Sequence, residues 1–279
     1  MAVIPWTLPR TVSEQGILRP RAGRFTLRRI APAPELAHLV ERHWVVAWDL
    51  RGEPDHTVEL LPHPCANLVF QSGGAILTGV GTEKSRHPLS GAGQTFGTKL
   101  RPGAAPGLIG LPMSELTDRA LPLSAIFGQP ADQLAAAIGA ADSDTARARL
   151  VEDFLRVRTP PHDPQAQTVG RIVHDMLHSD GTQRVEQVAA GAGWSTRTLQ
   201  RLFRHYVGVS PKQVLVRYRL HEAADRLSDG DRPDWALLAL ELGYADQAHF
   251  IRDFHAAVGC TPAAYAAACA TDLAQAEAG

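Results

Sequence analysis

The sequence predicts an α+β chain: an N-terminal β-barrel of cupin-like character, a helical connector, and an all-α C-terminal domain with two helix-turn-helix units. Three observations carry this reading. The first 125 residues hold short apolar runs punctuated by Pro and Gly, without a sustained helical period. From about residue 126 the apolar spacing becomes that of amphipathic helices. Among these helices a single motif occurs twice. A length of 279 residues suits two domains, and an apolar share of 44% is enough to pack a core in each.

In chain order, the runs HWVVAWDL (43–50), HTVELL (56–61), ANLVF (66–70) and PGLIGL (106–111) read as strands of an antiparallel barrel or sandwich, with Gly73-Gly74 between two of them. The expected boundaries are 1–125 for the β-rich domain, 126–164 for the connector and linker, and 165–270 for the C-terminal domain. In the connector, QPADQLAAAIGA and SDTARARLVEDFLRVR read as two helices, the second capped by Ser143 or Asp142. The linker TPPHDPQ (159–165) has three prolines and cannot continue a helix. The closing TDLAQAEAG reads as a frayed tail.

The repeat is LQRLFRHYVGVSP (199–211) and FIRDFHAAVGCTP (250–262). Leu199, Arg201, Phe203, Gly208, Ser210 and Pro211 align with Phe250, Arg252, Phe254, Gly259, Thr261 and Pro262 at a constant offset of 51. Upstream, Val185, Val188, Ala189 and Gly193-Trp194 align with Trp235, Leu238, Ala239 and Gly243-Tyr244 at an offset of 50, so the turns differ by one residue. A short helix, a Gly-containing turn and a second helix, given twice, make two helix-turn-helix units.

The second helix of the first unit has two faces. Leu199, Leu202, Phe203 and Tyr206 form a stripe for burial, and Arg197, Gln200, Arg201 and Arg204 lie opposite. Ser195 is placed as N-cap. Arg and Gln are the side chains that bond guanine and adenine edges in the major groove. From Ser195 to His221 there are six Lys or Arg and no acid, a field suited to a phosphate backbone. In the second unit Phe250, Phe254 and Ala257 face inward, and Gln247, Ala248, Ile251, Arg252 and His255 face out. Asp246 and Asp253 weaken the positive field there. The net charge of the whole chain, −1, argues neither for nor against nucleic acid.

On these motifs, residues 165–270 resemble the AraC/XylS family of transcription regulators. The stretch ALELGYADQAHFIRDFHAAVGCTPAAY (239–265) carries the likeness most fully. The resemblance implies two units joined by a long helix, here 211–227. It places base-reading positions at Arg197, Gln200 and Arg201, and at Gln247, Ala248, Ile251 and Arg252. His255 and Ala266 depart from the family's usual basic residues, which implies a weaker phosphate grip by the second unit. It also implies a double-stranded DNA operator, RNA polymerase as a partner if the regulator activates, a small-molecule effector, and a homodimer. The segment 100–128 is similar to that of regulators with a short β-rich sensor.

In the N-terminal half, Trp44, Trp48 and Phe70 are candidates to line a ligand pocket, though filling the core is the plainer reading of each. His56, Glu59, His63 and Cys65 suggest a metal cluster, but Pro62 and Pro64 break the strand, and a polar loop is the plainer reading. No cofactor or metal is expected. Arg19, Arg21, Arg24, Arg28 and Arg29 read as a solvated edge strand in preference to a DNA-contacting arm. The connector's apolar positions Leu134, Ala137, Ile138, Leu150, Val151, Phe154 and Val157 need cover from the β domain or a second copy, and the family resemblance favours the copy.

Catalytic motifs are lacking: the chain contains no GxSxG, P-loop, HExxH or dinucleotide fingerprint. Alternatives to an effector-controlled regulator are a constitutive DNA-binding protein whose N-terminal half only dimerises, a cupin-like enzyme, and an alkyl-transfer repair protein using Cys65. The opening MAVIPWTLPR lacks a signal peptide's pattern, and three unpaired cysteines suit a reducing compartment, so a cytoplasmic chain off the membrane is expected.

Overall fold

The structure is a computed structural model and describes residues 16–19, 24–178, 183–230 and 233–278. The MAVIPWTLPR segment and Arg21 lie outside the described residues.

Among the described residues, eight strands form in the N-terminal half: β1 (Thr26–Ile30), β2 (Val40–Asp49), β3 (His56–Leu60), β4 (Asn67–Gln71), β5 (Gly74–Thr78), β6 (Ser85–Leu89), β7 (Ala92–Leu100) and β8 (Ala120–Pro122). Six of them make an antiparallel sheet in the order β1-β2-β7-β4-β5-β8, and β3 pairs with β6 in a separate ribbon. The β domain is therefore an open sheet with a ribbon packed beside it, nearer to the sandwich than to the barrel of the two arrangements the runs allow. Pro62 and Pro64 follow β3 and cannot donate ladder hydrogen bonds, so the chain leaves the ribbon before β4 joins the main sheet. Ser72 and Gly73 make the β4–β5 turn, with Gly73 and the Gly74 that opens β5 at φ +105° and +131°.

Strand alternation gives the main sheet two faces. Val45, Leu68, Phe70, Leu77 and Phe96 are buried on one, under Leu134 and Ile138 of one connector helix and Val151 and Leu155 of the next. On the other, Leu27, Val46 and Trp48 pack against Val58 and Leu89 of the ribbon. The helices of the N-terminal half are α1 (Ala105–Ile109), α2 (Leu123–Phe127), α3 (Gln129–Ala140) and α4 (Asp144–Arg156). The PGLIGL run, expected as a strand, is mostly α1: Pro106 sits in its first turn and Gly110 closes it at φ +73°. A six-residue run has no period of its own, and these two residues are helix punctuation. Ser143 caps α4, its Oγ accepting from the Ala146 amide at 3.2 Å.

The apolar face of the connector is covered within the chain. Leu134, Ile138, Val151 and Phe154 are buried against the β domain, and only Val157 is strongly exposed, at 78%. That corrects the expectation that this face seeks a second copy: cover by the chain's own sheet carries no association entropy cost. Of the basic stretch, Arg28 and Arg29 lie on β1, whereas Arg19 pairs with Asp272 of the C-terminal half. β1 is an outer strand, Arg28 pairs with Asp144 at 2.7 Å, and Arg24 pairs with Glu53.

The C-terminal half is α5 (Pro164–Leu177), α6 (Val185–Gly191), α7 (Thr196–Tyr206), α8 (Pro211–Ser228), α9 (Trp235–Glu241), α10 (Gln247–Val258) and α11 (Pro262–Ala278). The described part of the tail is helical rather than frayed: α11 continues to Ala278, and Asp272 is buried and accepts two bonds from Arg19, at 2.5 and 2.8 Å. Sequence composition holds no sign of that distant partner.

α8 packs on the β domain through His221, which is wholly buried with its ring edge-on to His63 at 4.6 Å. Burial, followed by the nearby charges of Arg217 and Lys99, pushes the His221 pKa down to about 3, and only the Pro62 carbonyl acts the other way. As pH drops below about 6.5 the unfolded chain takes up this proton and the folded chain does not. Stability from His221 is thus complete above pH 6.5 and falls by about 1.4 kcal/mol per pH unit toward pH 3. Phe in place of His221 is expected to flatten the loss of melting temperature between pH 6.5 and 5. Equal slopes for both proteins would show that His221 titrates freely in the fold.

Candidate nucleic-acid interface

The two helix-turn-helix units are built alike. In the first, Gly193 turns the chain at φ +69°, and the Trp194 amide donates to the Ala189 carbonyl at 2.9 Å. In the second, Gly243 lies at φ +75° and the Tyr244 amide donates to Ala239 at 2.9 Å. Both turns need the left-handed region that glycine enters without cost. The caps also correspond. Ser195 Oγ accepts from the Thr198 amide at 3.1 Å, and Asp246 Oδ1 from the His249 amide at 2.7 Å.

Packing fixes which face each second helix offers. Leu199, Leu202, Phe203 and Tyr206 of α7 are buried, with Phe203 at 0% exposure. Tyr206 also donates its hydroxyl to Asp163 Oδ2 at 2.6 Å, tying α7 to the cap of α5. Burial and this carboxylate push the Tyr206 pKa up to about 12, so it remains a donor throughout the ordinary pH range. Opposite, Arg197, Gln200, Arg201 and Arg204 are all exposed. None of the three arginines makes an ion pair among the described residues. In α10, Phe250, Phe254 and Val258 are buried, while Ala257, expected inside, is half-buried. Ala248 and Arg252 are exposed, and Gln247 and Ile251 half-buried. His249 and Asp253 pair at 3.5 Å on the same helix, a pairing that the face assignment from spacing leaves out.

The N-terminal candidates fare differently. Trp44 and Trp48 share a face, but Phe70 lies on the opposite one, tilted against Phe96 at 6.0 Å between centroids. The three do not line a common pocket. The Trp44 ring lies over Gly97 and the Trp48 ring over Gly93 in the neighbouring strand. Their indole N–H groups donate to Asn67 Oδ1 at 3.3 Å and to the Ser90 carbonyl at 3.0 Å. Single-strand alternation could not show that the glycines of β7 receive these rings.

A cavity of about 1220 Å³ lies instead at the seam between the halves, lined by Leu39, Cys65 and Lys99 on one side and Val173, His174 and Tyr218 on the other. Among the described residues, no group of three or more His, Cys, Asp or Glu is placed to hold a metal ion. Glu59 is engaged with Lys84 at 3.0 Å and Arg86 at 2.8 Å. Burial pushes the Cys65 thiol up, the reverse of what a nucleophilic thiol requires. No helix among the described residues is long and apolar enough to cross a membrane.

Comparison with known proteins finds one family match in each half of the chain. Residues 188–268 match a family described as a helix-turn-helix domain, and residues 28–122 match a domain of unknown function, DUF6597. The RCS-specific HTH-type transcriptional activator RclR of Escherichia coli K12 is 34% identical over 98 residues, 35% of this chain and 34% of that protein. An uncharacterized HTH-type transcriptional regulator of Haemophilus influenzae is 35% identical over 81 residues, 29% and 27% of the two chains. The chain thus spans about a third of the length of the curated relatives it matches. Among solved structures, an AraC-type transcriptional regulator from Chromobacterium violaceum is 24% identical with a TM-score of 0.34, covering 37% of this chain and 92% of that one.

Proposed function

We propose that this chain, which carries the AraC-type double helix-turn-helix domain behind a DUF6597 domain, is a sequence-specific DNA-binding transcription regulator rather than an enzyme. The observation that carries this reading is the exposed row Arg197, Gln200, Arg201 and Arg204 on α7, without acidic partners among the described residues and backed by a packed core. Arg197, Gln200 and Arg201 read base edges, and Arg204 reaches the flanking phosphates. In the second unit Gln247 and Arg252 hydrogen-bond to DNA, and Ala248 and Ile251 touch thymine methyl groups.

A small-molecule effector controls the protein, and the cavity at the seam supports this, because a ligand there touches both halves at once. The packed interior of the sheet leaves that role to the seam. Activation of transcription, with RNA polymerase as partner, is supported by the activator among the relatives. The regulator works in the cytoplasm as a homodimer. That pairing rests on the family resemblance and uses a surface other than the covered connector face.

The test begins with an operator enriched from random DNA by the full chain. Electrophoretic mobility shifts should then show Gln247→Ala and Arg252→Ala weakening binding less than Arg197→Ala and Arg201→Ala. The His249–Asp253 pair and Asp246 lower the positive field on α10, and long-range attraction to phosphate falls with it. Equal losses at both units would show that these acids do not matter.

A further inference from the structure

Each helix-turn-helix unit ends its second helix in the same dipeptide, Val207-Gly208 and Val258-Gly259, with the glycines at φ +90° and +89°. At both corners a backbone carbonyl accepts a hydrogen bond from a side chain of the N-terminal domain. Thr117 Oγ1 donates to the Gly208 carbonyl at 2.7 Å, and Lys84 Nζ to the Val258 carbonyl at 2.6 Å. Between them, Arg217 of α8 donates Nη2 to the Gly81 carbonyl at 2.7 Å. Val258 is the last residue of α10, and the last carbonyls of a helix lack intrahelical partners and form the negative end of its dipole, so this one is a ready acceptor for a lysine; the Gly208 carbonyl lies just beyond the end of α7. The approach is close: a Cβ on Gly208 would stand 2.9 Å from the Met113 carbonyl oxygen, and one on Gly259 3.1 Å from Lys84 Nζ.

These three contacts come from one body. The Asp118 amide donates to the Val80 carbonyl at 3.0 Å, and Thr82 donates through its amide and hydroxyl to the Asp118 carboxylate at 2.6 and 2.7 Å. The Gly79 amide donates to the Arg119 carbonyl at 2.9 Å. Lys84 is fixed further by its ion pair with Glu59. The helix-turn-helix units, by contrast, have separate cores. Val214, Leu215 and Tyr218 of α8 belong to the first, and Leu220, Ala223 and Leu227 to the second.

We propose that Lys84, Thr117 and Arg217 are positioning residues through which the N-terminal domain holds the two units at one separation, so that this domain sets the spacing between the two half-sites. This rests on the DNA-binding reading above. The exposed faces of α7 and α10 are untouched by these bonds, so the domain orders the DNA-reading surface without covering it.

The experiment uses the full chain, the operator it enriches from random DNA, and a series of duplexes in which base pairs are added or removed between the half-sites. The unmodified protein should prefer one spacing. The double variant Lys84→Ala/Thr117→Val should bind that duplex about tenfold more weakly, the scale of one charge-assisted hydrogen bond. Its dependence on spacing should also be flat. Lys84→Arg should restore the preference, a readout that general loss of stability would not give. If the double variant melts below the binding temperature, Lys84→Met alone is measured in the same series. Folded variants that keep the original preference would overturn the inference, as would an unmodified protein without one. Failure of the unmodified chain to enrich any DNA would instead overturn the DNA-binding reading itself.

Discussion

Replacing Arg197 and Arg201 together by alanine is expected to weaken operator binding by roughly 2–6 kcal/mol, twice the loss of one bidentate base contact. The melting temperature should scarcely move. Both side chains are exposed, neither has an ion-pair partner among the described residues, and the buried stripe of α7 on the opposite face is left whole. The two positions are four residues apart on one helix, so their losses need not add strictly. Equilibrium binding and calorimetric melting of the same preparation separate the two effects. A large drop in stability with little loss of affinity would assign these arginines a structural role and remove the chief support for the proposed function.

Ala in place of Gly79 is expected to cost about 3 kcal/mol or more in folding stability, the upper end of what overpacking does. A Cβ there would fall 1.8 Å from the Leu116 carbonyl oxygen and 2.7 Å from the Leu116 Cβ. Leu116 is 1% exposed and belongs to the core, so neither side can yield without opening the junction of the two loops that meet α7 and α8. Gly139 provides the contrast: it is a helical glycine with open space around it, and Ala there should stabilise by about 0.5–1 kcal/mol. Urea unfolding measures both. A neutral Gly79→Ala would mean that these loops separate readily and that the N-terminal domain does not grip the helices as described.

What the sequence revealed depended on the range of the interactions involved. The two units were legible because their causes are local: helix period, capping Ser195, and glycine turns recurring at fixed offsets. The exposed and buried faces of α7 followed from the same spacing. Short runs without a period were less informative, and PGLIGL went to a helix because Pro106 and Gly110 punctuate it. Alternation placed Trp44 and Trp48 together correctly, yet the face they occupy was decided by Gly93 and Gly97 in a strand some fifty residues away. The bonds from Thr117 to Gly208 and from Lys84 to Val258 join residues 91 and 174 apart, and no periodicity announces them. The repeated glycines were visible, but their second use, as close contacts for another domain, required the fold.

The central claim is that one chain reads DNA with two helix-turn-helix units in a fixed relation. Hydroxyl-radical footprinting of the full chain on its enriched operator tests this most directly. Each protomer should protect two backbone segments on one side of the duplex, about 10 base pairs apart, as two recognition helices in successive major grooves require. Protection of a single groove segment per protomer would contradict the claim and leave α10 as a support for α7.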